Sequence, residues 1–141
     1  MREIEFRAKK TENGKWVYGY YHKLNESFEN KDCILEHHRN TSTIIDITTV
    51  GQYTGLIDKN GKKIFEGDIH HNYDTHSKKD RWYIVCYGEF HDTVYNFDGY
   101  GWYFVEINGD DTESFEGNEQ DYVNIVGNIY DNPELIEKVE G

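Results

Sequence analysis

Residues 50–69, Val-Gly-Gln-Tyr-Thr-Gly-Leu-Ile-Asp-Lys-Asn-Gly-Lys-Lys-Ile-Phe-Glu-Gly-Asp-Ile, limit the possible fold more than any other stretch of this chain. Four glycines, Gly51, Gly55, Gly61 and Gly67, separate the apolar positions Tyr53, Leu56, Ile64, Phe65 and Ile69. Asp58-Lys59-Asn60-Gly61 signals a tight hairpin, because Asn60 and Gly61 tolerate positive φ. Glu66-Gly67-Asp68 is a second break, where Gly67 bends the chain and Ile69 begins a new strand. Asp68 suits a turn cap that accepts backbone N–H bonds. The stretch therefore specifies strand, hairpin and strand entrance, and carries no chemistry of its own.

The 141 residues suit one domain, with or without a small appendage. Hydrophobic residues make up 36%, below the usual globular share of about 45–50%. Three Trp, twelve Tyr and seven Phe compensate, since each large ring buries roughly 150–250 Å². Aromatic and β-branched enrichment favours strands. The formal net charge is -12. From Glu106 onward there are eleven acids and one base, Lys138, so the first 105 residues hold only -2. A uniformly acidic chain would repel nucleic acid and anionic membranes, whereas this one still has a neutral or basic face available in its first two thirds. No apolar run resembles a signal peptide or a membrane span. Cys33 and Cys86 show no metal or disulfide spacing and read as buried thiols in a reducing cytosol.

Alternation at Ile4, Phe6 and Ala8, an Asn13-Gly14 turn and the run Trp16–Tyr21 predict a hairpin within residues 1–24. Residues 22–32 read as loop. Cys33–Leu35 and Thr43–Ile47 read as short strands, and Arg81–Tyr87 as a strand buried on both faces. Residues 72–80 and 88–99 read as loops, the second aromatic. Tyr100–Ile107 reads as a strand, Thr112–Gln120 as a mobile acidic segment, and Tyr122–Tyr130 as the last strand. A short helix is expected over about 132–139, with Asn132 as N-cap and Pro133 in its first turn. Leu135, Ile136 and Val139 form its apolar face.

Few residues suggest chemistry. His37-His38 and His70-His71 are adjacent pairs, which on a strand point to opposite faces and rarely chelate one metal. His71, Asp74 and His76 form the best metal candidate, but ordinary surface histidines explain them more simply, since such sites need three or four convergent ligands. The acids of 110–121 lack the EF-hand pattern. Cys86 reads as an inert core thiol. No nucleophile elbow, dinucleotide-binding or Walker motif is present. Lys59, Lys62 and Lys63 on one hairpin, and Lys78, Lys79 and Arg81 on the next loop beside Trp82 and Tyr83, are candidate phosphate ligands. The alternative, ordinary solubilising hairpin lysines, fits the total charge better.

Three segments resemble the YopX family of phage and prophage proteins. Arg2-Glu3-Ile4-Glu5-Phe6-Arg7-Ala8 is similar to the family's opening strand. Gly51-Gln52-Tyr53-Thr54-Gly55-Leu56, Asp58-Lys59-Asn60-Gly61 and Ile64-Phe65-Glu66-Gly67-Asp68-Ile69 resemble its central signature. Val126-Gly127-Asn128-Ile129-Tyr130 with Asn132-Pro133-Glu134-Leu135 resembles its closing one. Lys9, where many members carry Trp, and His70, where an apolar residue is usual, depart from the pattern. The resemblance implies a mainly β fold, an SH3-like small barrel with additional β-hairpins and a short C-terminal helix. Hairpin 1–24, barrel core about 43–130 and helix about 132–139 would form a single domain. The structural signature would be Gly51, Tyr53, Gly55, Asn60, Gly61, Glu66, Gly67 and Asp68. It also implies a mobile-element origin in a Gram-positive host, and no catalytic residues.

The expected function is a non-enzymatic protein-interaction or self-assembling module in the host bacterial cytoplasm. It would need no cofactor or metal and would contact no membrane. Its partners would be further copies of itself or a host or phage protein. The alternatives are nucleic-acid binding, or an acidic mimic of nucleic acid using Asp110, Asp111, Glu113 and Glu116 to inhibit a host protein.

Overall fold

The computed structural model describes residues 3–26, 29–37 and 39–140, with the backbone alone at 25–26, 29–30 and 138–140. Contacts divide the chain into two compact units, Met1–Gly55 and Leu56–Gly141. Residues 1–55 hold eight acids and eight bases, so the whole net charge of -12 falls on 56–141.

The first unit contains β1 (Phe6–Lys10), β2 (Trp16–Glu26), β3 (Glu29–Glu36) and most of β4 (Ser42–Ile57). Neighbours in this order pair antiparallel, and β1 also pairs with β4, so the four strands close into a ring. Gly14 turns the first hairpin at φ 70°, and Asn13 Oδ1 accepts the Lys15 N–H at 3.0 Å. The core is Ala8, Val17, Ile34 and Ile45, flanked by Phe6, Tyr21 and Val50. Alternation in β1 places Ala8 inside as expected, but Ile4 is exposed while Glu5 and Arg7 are buried. The Arg7 guanidinium covers the Trp16 ring at 4.7 Å, a desolvated cation–π contact that explains a buried charge.

Residues 22–26 and 29–32 are strand rather than the expected loop, and 27–28 lie outside the described residues. Strands β2 and β3 run on, pairing His22 with Cys33 and Leu24 with Lys31. The Tyr21 hydroxyl donates to Asp32 Oδ1, so polar side chains bridge a ladder that apolar periodicity does not reveal.

The second unit receives the end of β4, then β5 (Lys63–Phe65), β6 (Asp68–Asp74), β7 (Lys79–Asp92), β8 (Phe97–Glu106), β9 (Thr112–Ser114), α1 (Glu119–Tyr122), β10 (Ile125–Asn128) and α2 (Pro133–Glu140). Its main sheet is antiparallel in the order β10-β6-β7-β8-β9. Ile64, Tyr83, Val85, Phe104, Val123 and Ile125 form its core, with Leu56, Trp102 and Phe115 packed against them. Burying each such aliphatic or Phe side chain stabilises by about 1.5–3 kcal/mol.

Several expectations are corrected here. Most of 72–80 and 88–99 is strand, because β6, β7 and β8 extend as two long hairpins with turns only at 75–78 and 93–96. In β7, Tyr83 and Val85 on one face are buried while Trp82, Ile84 and Cys86 on the other are only half-buried, so the strand is not fully covered on both faces. The segment 112–120 is not a mobile tail. Glu119 is fully buried and draws the chain in, accepting N–H bonds from Glu116 (2.8 Å) and Gly117 (2.9 Å). Helix α1 consequently takes the start of the expected last strand.

Helix α2 forms where Pro133 and the preceding turn predict. Asn132 does not cap it through its side chain. Its Oδ1 accepts the Asn128 N–H instead (3.2 Å), while Asn128 Oδ1 accepts from the N–H groups of Tyr130 and Asp131. Among the described residues, no helix is long and apolar enough to cross a membrane.

Candidate interaction surface

The chemistry-bearing side chains of the second unit divide into those spent on the fold and those left outward. The buried carboxylates belong to the fold. Asp58 Oδ1 accepts from the N–H groups of Asn60 and Lys62, both at 2.9 Å, and its Oδ2 from Ile125 at 3.1 Å. Asp68 Oδ2 accepts the Phe65 N–H at 2.8 Å, as the turn-cap reading requires. Between Glu66 and Asp68, Gly67 sits at φ 90°, where a Cβ would lie 3.3 Å from the Tyr130 ring. Its N–H donates to Val85 O and its C=O accepts from Ile129, so three segments meet at this turn.

The other signature residues are also structural. Gly51 and Tyr53 are buried, Gly55 takes φ 87° within β4, and Gly61 (φ 81°) closes the turn. Asn60 Nδ2 donates to Asn124 Oδ1 at 3.3 Å. Glu66 is half-buried.

Asp92 holds the tip of the β7–β8 hairpin. Its Oδ1 accepts from Val94 and Tyr95 N–H, and its Oδ2 from Ser114 N–H. Burial alone would raise its pKa, but the bonds from Ser114, Tyr95 and Val94 hold it below the ordinary carboxylate value. The Thr93 N–H donates to Thr112 O at 2.8 Å, which ties the tip to β9.

Midway along this hairpin Gly88 and Gly101 face each other, at φ 141° and 148°, a backbone that L-residues rarely adopt. Paired glycines at such angles bend a two-stranded ribbon. Phe90 lies across Gly99, where a Cβ would meet its ring at 2.6 Å, and stacks on Tyr103 with centroids 5.0 Å apart.

On the alternate face, Tyr87 meets Trp102 at 4.7 Å and Tyr100 at 5.7 Å. This face continues the core row of Tyr83, Val85 and Phe104, but beyond the covering segments its rings are open. On this face Tyr87 and Tyr100 are 49% and 74% exposed; Tyr95 in the turn is 64% exposed, and Phe97, against Phe90 on the other face, is 41% exposed. The aromatic content of 88–99 marks this region in the sequence; that it is a strand pair with a displayed face is not visible there.

Of the candidate phosphate ligands, Lys59, Lys62, Lys78 and Lys79 are exposed, and Lys63 is half-buried. Arg81 is engaged: its Nη1 is 2.7 Å from Glu106 Oε2 and its Nε 3.1 Å from Asp74 Oδ2. Bonds from Glu106 and then Asp74 raise its pKa further. The acids of the mimic reading gather around β9. Glu113 has its pKa raised by burial and then by Asp111, Asp92, Glu116 and Glu106. Asp110 and Glu116 are exposed.

The histidines are dispersed. His37 lies 3.8 Å from Glu5, His71 bonds Asp80 at 2.8 Å and His91 bonds Asp98 at 2.7 Å. His38 lies outside the described residues. In the proposed His71–Asp74–His76 set, Asp74 Oδ1 accepts the His76 backbone N–H at 2.9 Å and its Oδ2 the Arg81 Nε–H. Among the described residues, no three His, Cys, Asp or Glu side chains converge as a metal site would require.

His70 is buried between Tyr83, Phe104 and Tyr122, with centroids 5.7, 5.3 and 6.0 Å away. Its Nδ1 accepts the Asn124 N–H at 2.9 Å. Desolvation lowers its pKa to about 4, so it is a neutral core residue at pH 7. Burial and then Glu66 push the Cys86 thiol up to about 11, which leaves it un-ionised.

Comparison with known proteins adds fold and family. Among solved structures, the crystal structure of protein EF1440 from Enterococcus faecalis is similar to this chain at a TM-score of 0.53 and 24% identity, covering 96% of this chain and 99% of that one. At that identity the likeness concerns the fold alone. No curated protein matches the chain. The family model described as YopX protein matches residues 5–137. That match takes in the central and closing signatures and nearly the whole sequence, and the chain belongs to the YopX family.

Proposed function

We propose that this chain is a non-enzymatic protein-interaction module of a phage or prophage, acting in the host bacterial cytoplasm, and that the β7–β8 hairpin is its contact surface. The observation that carries this reading is the display of Tyr87, Tyr95, Phe97 and Tyr100 on one hairpin. Exposed Tyr and Phe of this kind dominate the centres of protein interfaces. The Gly88–Gly101 bend and the Asp92 bonds fix the hairpin before a partner arrives, which lowers the ordering cost of association.

Affinity capture from host lysate, with wild type beside a Tyr87→Ser/Tyr100→Ser double variant, tests the reading. A specific partner captured by wild type and lost by the folded double variant supports it. Equal capture by both, or none by either, refutes it. Light scattering on the same samples separates a foreign partner from self-assembly.

A second reading rests on the convergence of carboxylates around Glu113. An acidic mimic of the phosphate backbone would capture a basic DNA-binding protein. Neutralising Asp110, Asp111, Glu113 and Glu116 together would then abolish capture, and unchanged capture removes the idea.

A further inference from the structure

Residues 87–102 contain Glu89, Asp92 and Asp98 but no Lys or Arg. Two of these acids are spent within the hairpin, Asp92 on its turn and Asp98 on His91. Among the described residues, Glu89 has no hydrogen-bond or ion-pair partner. It stands directly across from Tyr100 in the β7–β8 register, and alternation puts it on the same face as Tyr87. The Tyr87 and Tyr100 rings meet edge to face at 83° and are 49% and 74% exposed, so this face presents aromatic surface to solvent in register with a carboxylate. Trp102 backs Tyr87 and holds it in place.

An exposed pair of π faces with an uncompensated carboxylate suits a cation. The unit around it carries all of the net charge of -12, which attracts a basic partner over a distance and repels phosphate. We propose that this face of the hairpin binds an arginine or lysine side chain of a basic protein segment, with the cation against the Tyr100 and Tyr87 rings and Glu89 as its counter-ion. The inference rests on the interaction-module reading and names the chemistry of the partner.

The test uses the full chain and a fluorescent peptide of alternating Arg and Gly, beside a matched peptide with Gln for Arg. Anisotropy titrations at physiological salt should show binding of the Arg peptide alone. Tyr100→Ser and Glu89→Gln should each weaken it about three- to tenfold. Asp121→Asn, an equal charge change on exposed α1, should change it less than about twofold. Tyr100→Leu keeps apolar bulk without the aromatic face and serves if the Ser variant misfolds.

Equal binding of the Gln peptide, equal losses from Asp121→Asn and Glu89→Gln, or an unchanged affinity in the Tyr100 variants would each overturn the proposal. If lysate capture needs Tyr87 and Tyr100 but is untouched by Glu89→Gln and by excess Arg peptide, the cation assignment falls and the interaction module stands.

Discussion

Lowering the pH from 7 to 5 should destabilise this protein chiefly through His70. The ring is 3% exposed and held as a neutral acceptor for the Asn124 N–H. Its pKa is about 4 in the folded chain, against about 6.5 for an exposed histidine in the unfolded chain. Between those values the unfolded state binds more protons, so stability falls as pH falls. The full loss is about 3 kcal/mol, with about 2 kcal/mol of it between pH 7 and pH 5 and the rest as pH falls through the folded value near 4.

Out of a typical 5–15 kcal/mol this is a large fraction. It should move a urea midpoint by about 1 M at an ordinary m-value. The assay is urea unfolding at both pH values, followed by tryptophan fluorescence, for wild type and His70→Asn. Asn supplies an acceptor near the Nδ1 position and cannot titrate. Asp58, Lys59 and His71, which act on the His70 charge, are common to both proteins. A variant that loses as much stability between pH 7 and pH 5 as wild type would refute the reasoning.

Gly67→Val places a β-branched residue at φ 90° against the Tyr130 ring; it should cost about 3 kcal/mol or more, and a wild-type thermal melt would show that the turn has been misjudged. Asp92→Ala removes the acceptor of three backbone N–H groups. It should cost about 1–3 kcal/mol, with faster amide exchange at 93–95 as the local readout. Because the folded Asp92 pKa is depressed, its stabilisation is present above the ordinary carboxylate pKa and is lost as pH falls through the folded value. Cys86, with its thiol at about 11, should label far more slowly than an exposed cysteine at pH 8 and reach normal rates in denaturant.

The segments that the sequence determines are those whose information is local. Asn13-Gly14, Asn60-Gly61 and Glu66-Gly67-Asp68 act through φ preference and side-chain bonds to nearby backbone, and they fold as their residues predict. The same holds for Pro133 at the start of α2, and alternation in β1 correctly places Ala8. The central signature, being mostly such turn chemistry, identifies the family without disclosing an activity.

Tertiary structure decided what depends on distant partners. Polar residues 22–26 and 29–32 became strand because each run pairs with the other. Residues 112–120 became ordered because Glu119 found two N–H groups, and Asp92 became a clasp because Ser114 and Thr112 arrive from twenty residues away. Whether a Tyr in the β7–β8 hairpin packs or faces outward depends on where the covering segments stop. Tyr83 packs in the buried cluster with Val123 and Phe104, and Tyr100 lies outside it. Periodicity fixes the face on which a side chain points, but only the fold decides whether anything stands opposite it.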